Sequence, residues 1–278
     1  MRPNCEVCNF ERVLLSASIN LFDGEELLAA QLRCLRPHVE HLTVVYQTIS
    51  NRGAAAVVDL EGLLSTYRRD GWLDEVCWYR PESPASPREH EHAKRRLGLR
   101  LACARGATHF MSLDVDEFYC AGPLSAARRH IERGGFDGTA CRFVDYHARP
   151  IYQRTELARF DDENVFVPFI FSVAAAQRPT APSFFRLFDP TRALPCERPY
   201  AFSPDELVMH HMTSVRRDRA SLIRKFANSS TEWKLETPER LADLVLGFDP
   251  AKHHAPAVRV VDNQFGIELG THPGSTTP

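Results

Sequence analysis

The segment "PREHEHAKRRLGLRLACARGATHFMSLDVDEF", residues 87–118, decides the fold. Its first part, 87–106, predicts a helix, because a proline stands near its start and a glycine at its end. The stretch "HFMSLDV", 109–115, then predicts a strand that buries its apolar side chains. Acids stand at the end of this strand: Asp114, Asp116 and Glu117. A ligand is expected here, because open α/β sheets bind ligands outside the carboxyl ends of their strands.

Upstream of this segment, strand patterns alternate with helical patterns. Strands are predicted at 12–19, 41–47 and 74–80, and helices at 23–37 and 57–71. This alternation predicts βαβ units with a parallel sheet. Residues 1–120 are therefore interpreted as a Rossmann-like, nucleotide-binding half.

Downstream, a helix is predicted at 125–135 and the pattern then becomes mixed. Strand-like runs separated by proline-rich loops and two amphipathic segments follow: 138–146, 164–173, 183–189 and 206–212, then 217–228 and 238–247. We predict a second half over 121–248 and a C-terminal extension over 249–278, whose tail at 271–278 has the composition of a disordered segment.

Composition excludes several classes of protein. The 278 residues are 44% hydrophobic and 25% charged, and the net charge of −2 argues against a dedicated nucleic-acid binder. The longest apolar run, 165–176, is shorter than the ~20 residues of a membrane span and contains Pro168. With no signal-peptide core, a soluble, cytoplasmic protein is expected, and peripheral attachment to the inner membrane face is left open.

Cys5 and Cys8 form a CxxC without a partner pair, so free thiols are expected.

The acids suggest a divalent metal. In an extended chain Asp114 and Asp116 share one face and Val115 the other. Two such carboxylates repel each other unless a cation lies between them, and oxygen ligands suit Mg²⁺ or Mn²⁺. The alternative is a solvated acidic loop.

His210 and His211 end a strand-like run. Neighbouring residues of a strand point to opposite sides, so at most one of them is expected to reach a given metal. The alternative is one core and one surface histidine. The "HEH" at 90–92 is interpreted as a solvated helix start rather than a metal site.

Basic residues flank both motifs. Lys94 and its neighbours Arg95, Arg96, Arg100 and Arg105 give the helix a basic face that is either solvated or meets phosphate. Lys225 is a second phosphate candidate. The chain has no GxxxxGK[ST], GxGxxG or GxSxG motif, which argues against P-loop, dinucleotide-binding and α/β-hydrolase sites.

Together, "AKRRLGLRLACARGATHFMSLDVDEF" and the later "MHHMTSVRRD…LIRKFANSS" make the chain resemble the bacterial GT-A glycosyltransferases of the family-2-like group. The resemblance covers roughly residues 12–230. It implies a Rossmann-like nucleotide-sugar half with a parallel-dominated mixed sheet and a smaller C-terminal part that binds acceptor and metal.

The resemblance also implies a function. A protein of this family would be a metal-dependent glycosyltransferase that moves a sugar from a nucleotide-sugar donor to an acceptor hydroxyl. The acceptor would be a glycan, a lipid-linked molecule or another hydroxyl compound, in the synthesis of surface polysaccharide or glycoconjugates. Mn²⁺ or Mg²⁺ would bridge the donor diphosphate to Asp116, with His210 or His211 as the distal ligand. Asp114 would touch the ribose, or the metal through water.

Other residues are implied to contact the donor. Asn20 and Gln47 would line the nucleoside pocket, and Lys94, Arg216 and Lys225 are candidates for the diphosphate. Gln47 and Thr48 stand where the family usually has an aspartate after the second strand.

No motif identifies the base that deprotonates the acceptor. The candidates are Asp145, Asp189, Glu197 and Asp205, with Asp189 and Asp145 preferred. Two other functions remain open: a metal-dependent nucleotidyltransferase, and a non-catalytic module that binds carbohydrate or nucleic acid.

Overall fold

A computed structural model describes residues 13–81, 85–160, 163–176, 185–193, 195–229, 236–252 and 256–269. The CxxC at Cys5 and Cys8 and the predicted disordered tail lie outside the described residues. Within the described part, no helix is both long and apolar enough to pass through a bilayer.

The first half alternates strands and helices as the sequence predicts. Its elements are β1 (Leu15–Leu21), α1 (Glu25–Leu35), β2 (His41–Tyr46), α2 (Leu60–Arg69), β3 (Glu75–Trp78), α3 (Pro87–Ala104) and β4 (His109–Asp114).

The second half combines short strands with helices. Its elements are β5 (Glu117–Phe118), α4 (Ala121–Gly134), β6 (Gly138–Asp145), β7 (Tyr152–Arg154), β8 (Arg159–Phe160), β9 (Glu163–Asn164), β10 (Val167–Ser172), α5 (Val173–Ala176), β11 (Pro199–Ala201), β12 (Val208–His211), α6 (Arg219–Asn228), α7 (Pro238–Leu246) and β13 (Val258–Val260). A 3₁₀ turn, Pro190–Arg192, precedes β11.

One mixed sheet joins both halves, with strand order β3-β2-β1-β4-β10-β6-β12-β5 and β11 paired with β6. Strands β3, β2, β1 and β4 are parallel, β10 is antiparallel to β4 and β6, and β12 is parallel to β6. The predicted α/β class, with a Rossmann-like first half and a parallel-dominated mixed sheet, is confirmed.

Local chemistry places α3 against β1. Ser86 caps α3 in a reciprocal capping box with Glu89, which satisfies two backbone N–H groups at the helix start. Gly98 allows the helix to approach the sheet closely, because a Cβ there would lie 2.3 Å from Ser18 Oγ. The buried side of α3 therefore faces the strand ends that carry the predicted site.

Gly24 has a similar role in front of α1. Its φ of 83° is in the left-handed region, and a Cβ would lie 2.9 Å from Val115 Cγ1. The start of α1 therefore packs directly against the turn that carries the acids.

Two local predictions are wrong. The run 183–189 is not a strand in its described part, where Leu187 makes only an isolated bridge with Phe166. The chain also turns at Val115 and Asp116 instead of remaining extended. Asp114 and Asp116 consequently have different partners.

Candidate functional site

The carboxyl ends of several strands bring the predicted polar residues to one edge of the sheet. Asn20 at the end of β1 is in register with Asp114 at the end of β4. Gln47 follows β2 and donates its backbone N–H to Leu21 O at 3.1 Å. On the other side, His211 of β12 is in register with Asp145 of β6. This edge is where an α/β sheet binds its ligand.

Asp114 belongs to a cluster of interlocked charges, the Asp114 cluster, which consists of Arg95, Asp114, Glu117, Asp189 and Arg192. Arg95 Nη2 lies 3.0 Å from Asp114 Oδ2 and 3.0 Å from Asp189 Oδ2. Arg192 donates to Asp114 Oδ2 at 2.9 Å and to both carboxylate oxygens of Glu117, at 2.5 and 2.8 Å. Both guanidinium groups are almost fully buried.

The arginines keep these aspartates ionised. Burial alone would raise the pKa of Asp114, but Arg95 and Arg192 outweigh it and hold that pKa far below its usual value. The pKa of Asp189 is lowered in the same way against the effect of burial. For Glu117 burial dominates and raises the pKa, although Arg192 opposes it.

Asp189 has no free acceptor position left. Its Oδ1 accepts from the backbone N–H and the hydroxyl of Thr191, at 2.9 and 2.7 Å. Its Oδ2 accepts from Arg95 and Arg192, at 3.0 and 3.2 Å. With a lowered pKa and four donors, Asp189 has the properties of a structural carboxylate rather than of a general base.

Asp116 belongs to a second group, the Asp116 cluster, which consists of Asp116, Asp145, His211, Arg216 and Lys225. Asp116 is 1% exposed, and its Oδ2 accepts from Arg216 Nη2 and Lys225 Nζ, each at 2.8 Å. Its Oδ1 faces His211 Nε2 at 3.9 Å. His211 Nδ1 lies 2.8 Å from Asp145 Oδ1, so Asp145 orients the imidazole toward Asp116.

Electrostatics in this cluster again favour the charged forms. Burial would raise the pKa of Asp116, but Lys225 and Arg216 lower it well below the usual value. Burial would lower the pKa of His211, but the Asp145 hydrogen bond and the Asp116 charge raise it. Asp116 also raises the pKa of Lys225 against the effect of burial.

His210 points away from both clusters. Its Nδ1 lies 3.0 Å from Tyr146 Oη, and its Nε2 lies 3.5 Å from Cys120 Sγ. Burial lowers the pKa of His210 to about 4, so the ring is neutral at pH 7. The two imidazoles therefore lie on opposite sides of β12, and His211 is the one that faces Asp116.

The predicted nucleoside residues present unpaired acceptors. Asn20 donates through Nδ2 to Glu91 Oε1 at 3.0 Å, and Gln47 donates through Nε2 to Ile49 O at 2.8 Å. The remaining amide oxygens, Asn20 Oδ1 and Gln47 Oε1, are buried and have no hydrogen-bond partner among the described residues. A buried acceptor without a donor is unfavourable, and a ligand N–H or O–H would satisfy it.

Other predicted residues lie elsewhere or are engaged. Lys94 is buried and pairs with Glu91 at 3.0 Å, which occupies its ammonium group. Glu197 precedes β11, which begins beside Gly138 at the amino end of β6, and therefore lies away from the edge that carries Asp145. Asp205 is exposed in the turn before β12, whose first residue, Val208, is in register with Arg142 of β6.

Sequence reasoning did not assign Arg192 or Glu91 to the site, and it named Glu117 only as one of the acids at the end of β4. Arg192 follows an Asp-Pro pair, which is a turn signal. Nothing in that signal indicates that the guanidinium reaches Glu117, 75 positions away.

The metal-ligand set in the described residues is incomplete. No group of three or more histidine, cysteine, aspartate or glutamate side chains in that part of the chain is arranged to hold a metal ion. Asp116 Oδ1 and His211 Nε2 supply two facing donors. A substrate or water would supply further ligands beyond these two side chains.

Comparisons with protein-family models and with the curated proteins find no match. Solved structures similar to the chain include S. aureus TarS 1–349, with 14% identity and a TM-score of 0.48, covering 84% of this chain and 69% of that chain. The same TarS fragment in complex with UDP-GlcNAc gives 15% identity and a TM-score of 0.48, covering 84% and 70%. A longer TarS structure gives 14% identity and a TM-score of 0.46, and this chain covers 42% of it. Similarity at this level is too weak to establish a shared activity.

Proposed function

We propose that this protein is a GT-A glycosyltransferase that transfers a sugar from a nucleotide-sugar donor to an acceptor hydroxyl with the help of Mn²⁺ or Mg²⁺. The observation that carries the proposal is the surroundings of Asp116. One carboxylate oxygen faces His211 Nε2 at 3.9 Å, and the other holds Lys225 and Arg216 at the carboxyl edge of the sheet. Ligand atoms for a divalent cation and cationic side chains for a diphosphate therefore surround one carboxylate, that of Asp116.

The residues present fit a divalent ion as a partial ligand set. Asp116 Oδ1 and His211 Nε2 would hold it, and hydrogen bonding from His211 Nδ1 to Asp145 leaves Nε2 free to act as a ligand. When bound, such an ion neutralises the diphosphate leaving group. Asp114 is held by two arginines and supports the neighbouring turn.

Donor binding would use the cationic and amide groups. Lys225 is the more accessible of the two cations on Asp116, with 23% of its side chain exposed against 1% for Arg216. We propose that Lys225 binds the donor diphosphate and that Arg216 holds Asp116 in place. Asn20 Oδ1 and Gln47 Oε1 would accept hydrogen bonds from the nucleoside.

Asp145 is the better supported candidate for the base. It is 25% exposed, and only one of its oxygens has a hydrogen-bond partner among the described residues. Asp189 lacks a free acceptor position. Deprotonation of an acceptor hydroxyl requires a carboxylate oxygen that the hydroxyl can reach, which favours Asp145.

A thermal-shift screen tests the proposal. A panel of nucleoside diphosphates is added with and without Mn²⁺, and at least one should raise the melting temperature only when Mn²⁺ is present. Release of nucleoside diphosphate from the matching nucleotide sugar is then measured. Stabilisation by a nucleoside triphosphate with release of pyrophosphate would instead indicate a nucleotidyltransferase. Ligand binding that persists unchanged in EDTA would indicate a non-catalytic binding module.

A further inference from the structure

Helix α3 has a second charged face that the proposed donor site does not use. Its inward face carries Glu91, Lys94 and Arg95, which pair with one another and with the site. Its outward face carries Arg88, His92, Arg96 and Arg100, which are all exposed. A spacing of four residues places these cationic and imidazole groups in one row along the helix.

The outward arginines make no ion pair with an acid in the part of the chain that the structure describes. Several exposed arginines elsewhere pair with carboxylates, for example Arg219 with Asp243 at 2.6 Å and Arg240 with Glu236 at 2.8 Å. No hydrogen bond or ion pair from Arg88, Arg96 or Arg100 occurs within the described ranges of the chain. Like charges four residues apart destabilise a helix by a few tenths of a kcal/mol, so an anionic ligand would relieve a repulsion already present.

A groove of about 390 Å³ lies over this row. It is lined by Tyr79, Glu89, His92, Ala93, Arg96, Leu97 and Arg100. Its one carboxylate, Glu89, is held by the backbone N–H of Ser86 at 2.7 Å as part of the helix cap. The remaining polar groups offer mostly hydrogen-bond donors, and two guanidinium groups suit the oxygens of phosphate.

We propose that this groove binds a chain of phosphate groups, such as an oligophosphate or phosphodiester, at a second anion site apart from the Asp116 cluster. A concave shape favours a ligand in solution over a flat membrane surface. Alternation along β3 places Trp78 on the sheet face opposite Cys77 and Tyr79, so this exposed tryptophan does not border the groove as an interfacial anchor.

Calorimetric titration with tripolyphosphate in EDTA at low salt tests the site. We expect saturable binding that the double variant Arg96→Ala/Arg100→Ala weakens by about tenfold or more, since it removes two charge-assisted contacts. Arg129→Ala/Arg133→Ala on α4 is the matched control, because both residues are exposed, have the same spacing and lie on another helix. This control should bind tripolyphosphate as the unaltered protein does.

A third variant separates the groove from the donor site. Lys225→Met should leave tripolyphosphate affinity unchanged, and the groove variant should leave nucleoside diphosphate binding with Mn²⁺ unchanged. Absence of tripolyphosphate binding, or its loss in Lys225→Met instead of the groove variant, would overturn the proposal. Binding to phosphatidylglycerol vesicles through Arg96 and Arg100 without binding of tripolyphosphate would also overturn it, in favour of a membrane surface.

Discussion

Asp114 and Asp116 stand two positions apart, yet different regions of the molecule hold them. The Asp114 cluster is closed in its hydrogen bonding, because Arg95 and Arg192 bind every carboxylate in it, although the Asp114 side chain is 34% exposed. The Asp116 cluster is open in its hydrogen bonding, because Asp116 Oδ1 has no hydrogen bond within the described residues. A closed charge network fixes geometry, whereas an open one has capacity left for a ligand. We therefore propose that the Asp114 cluster stabilises the structure of the site and that the Asp116 cluster binds the ligand and carries out the reaction.

The largest effect is expected from Asp116→Asn. The amide keeps the shape of the side chain but loses the charge that balances Arg216 and Lys225 and that would bind a cation. Turnover, measured as release of nucleoside diphosphate, should fall by roughly 1000-fold or more, the scale of losing a catalytic group. A folded Asp116→Asn protein with near-normal turnover would falsify the assignment of chemistry to this cluster.

The Asp114 cluster should show its role in stability. Arg192→Met leaves Glu117 without its main cationic partner and removes one of the two arginines on Asp114, and breaking a buried ion pair costs about 3–5 kcal/mol. The free energy of unfolding from urea titration measures this effect. Lys225→Met is the matched variant, and it should cost less because Lys225 is partly exposed and Asp116 keeps Arg216. Equal losses in the two variants would remove the distinction between a closed and an open cluster.

The sequence predicts the two clusters unequally, for a physical reason. Periodicity is a local property, so it identifies β1, α1 and the acidic end of β4 correctly. The turn at Val115 and Asp116 breaks the extended geometry on which the shared-face argument depends.

Long-range pairing is the part that pattern reasoning misses. Arg192 lies just after a run interpreted as a strand, and its partner Glu117 comes from a different region of the chain. The basic segment around Lys225 makes it a phosphate candidate, but no local pattern predicts that it reaches Asp116, 109 positions away. Charge pairs of this kind form only when the fold brings distant segments together, so the local periodicity of the sequence does not predict them.

His210 and His211, the neighbouring histidines of β12, are expected to differ in their effect on the metal requirement. His211→Gln should raise the Mn²⁺ concentration needed for half-maximal activity by about 100-fold, because loss of a second-shell group alone costs 10- to 100-fold. His210→Gln should leave this requirement unchanged, since its ring bonds Tyr146 on the far side of the strand. Activity measured across a manganese titration gives both values. Equal shifts in the two variants would contradict the assignment of His211.

The smallest expected effect concerns the diphosphate. A nucleoside diphosphate carries about three negative charges at pH 7, and one divalent cation leaves about one of them uncompensated. Lys225 Nζ, 2.8 Å from Asp116 Oδ2 and partly exposed, can supply that charge. A charge-assisted hydrogen bond is worth ~1.5–3 kcal/mol, so Lys225→Met should weaken nucleoside diphosphate binding by roughly 10- to 100-fold.

Calorimetric titration of the same variant with the free nucleoside supplies the control. Nucleoside affinity should stay constant, because Lys225 Nζ bonds Asp116 Oδ2 and has no hydrogen bond to Asn20 or Gln47 among the described residues. Lys225→Arg should restore most of the diphosphate affinity, since the charge is kept. If Lys225→Met binds the diphosphate as tightly as the unaltered protein, then Lys225 only balances Asp116. In that case the open cluster would have one function, cation binding, instead of two.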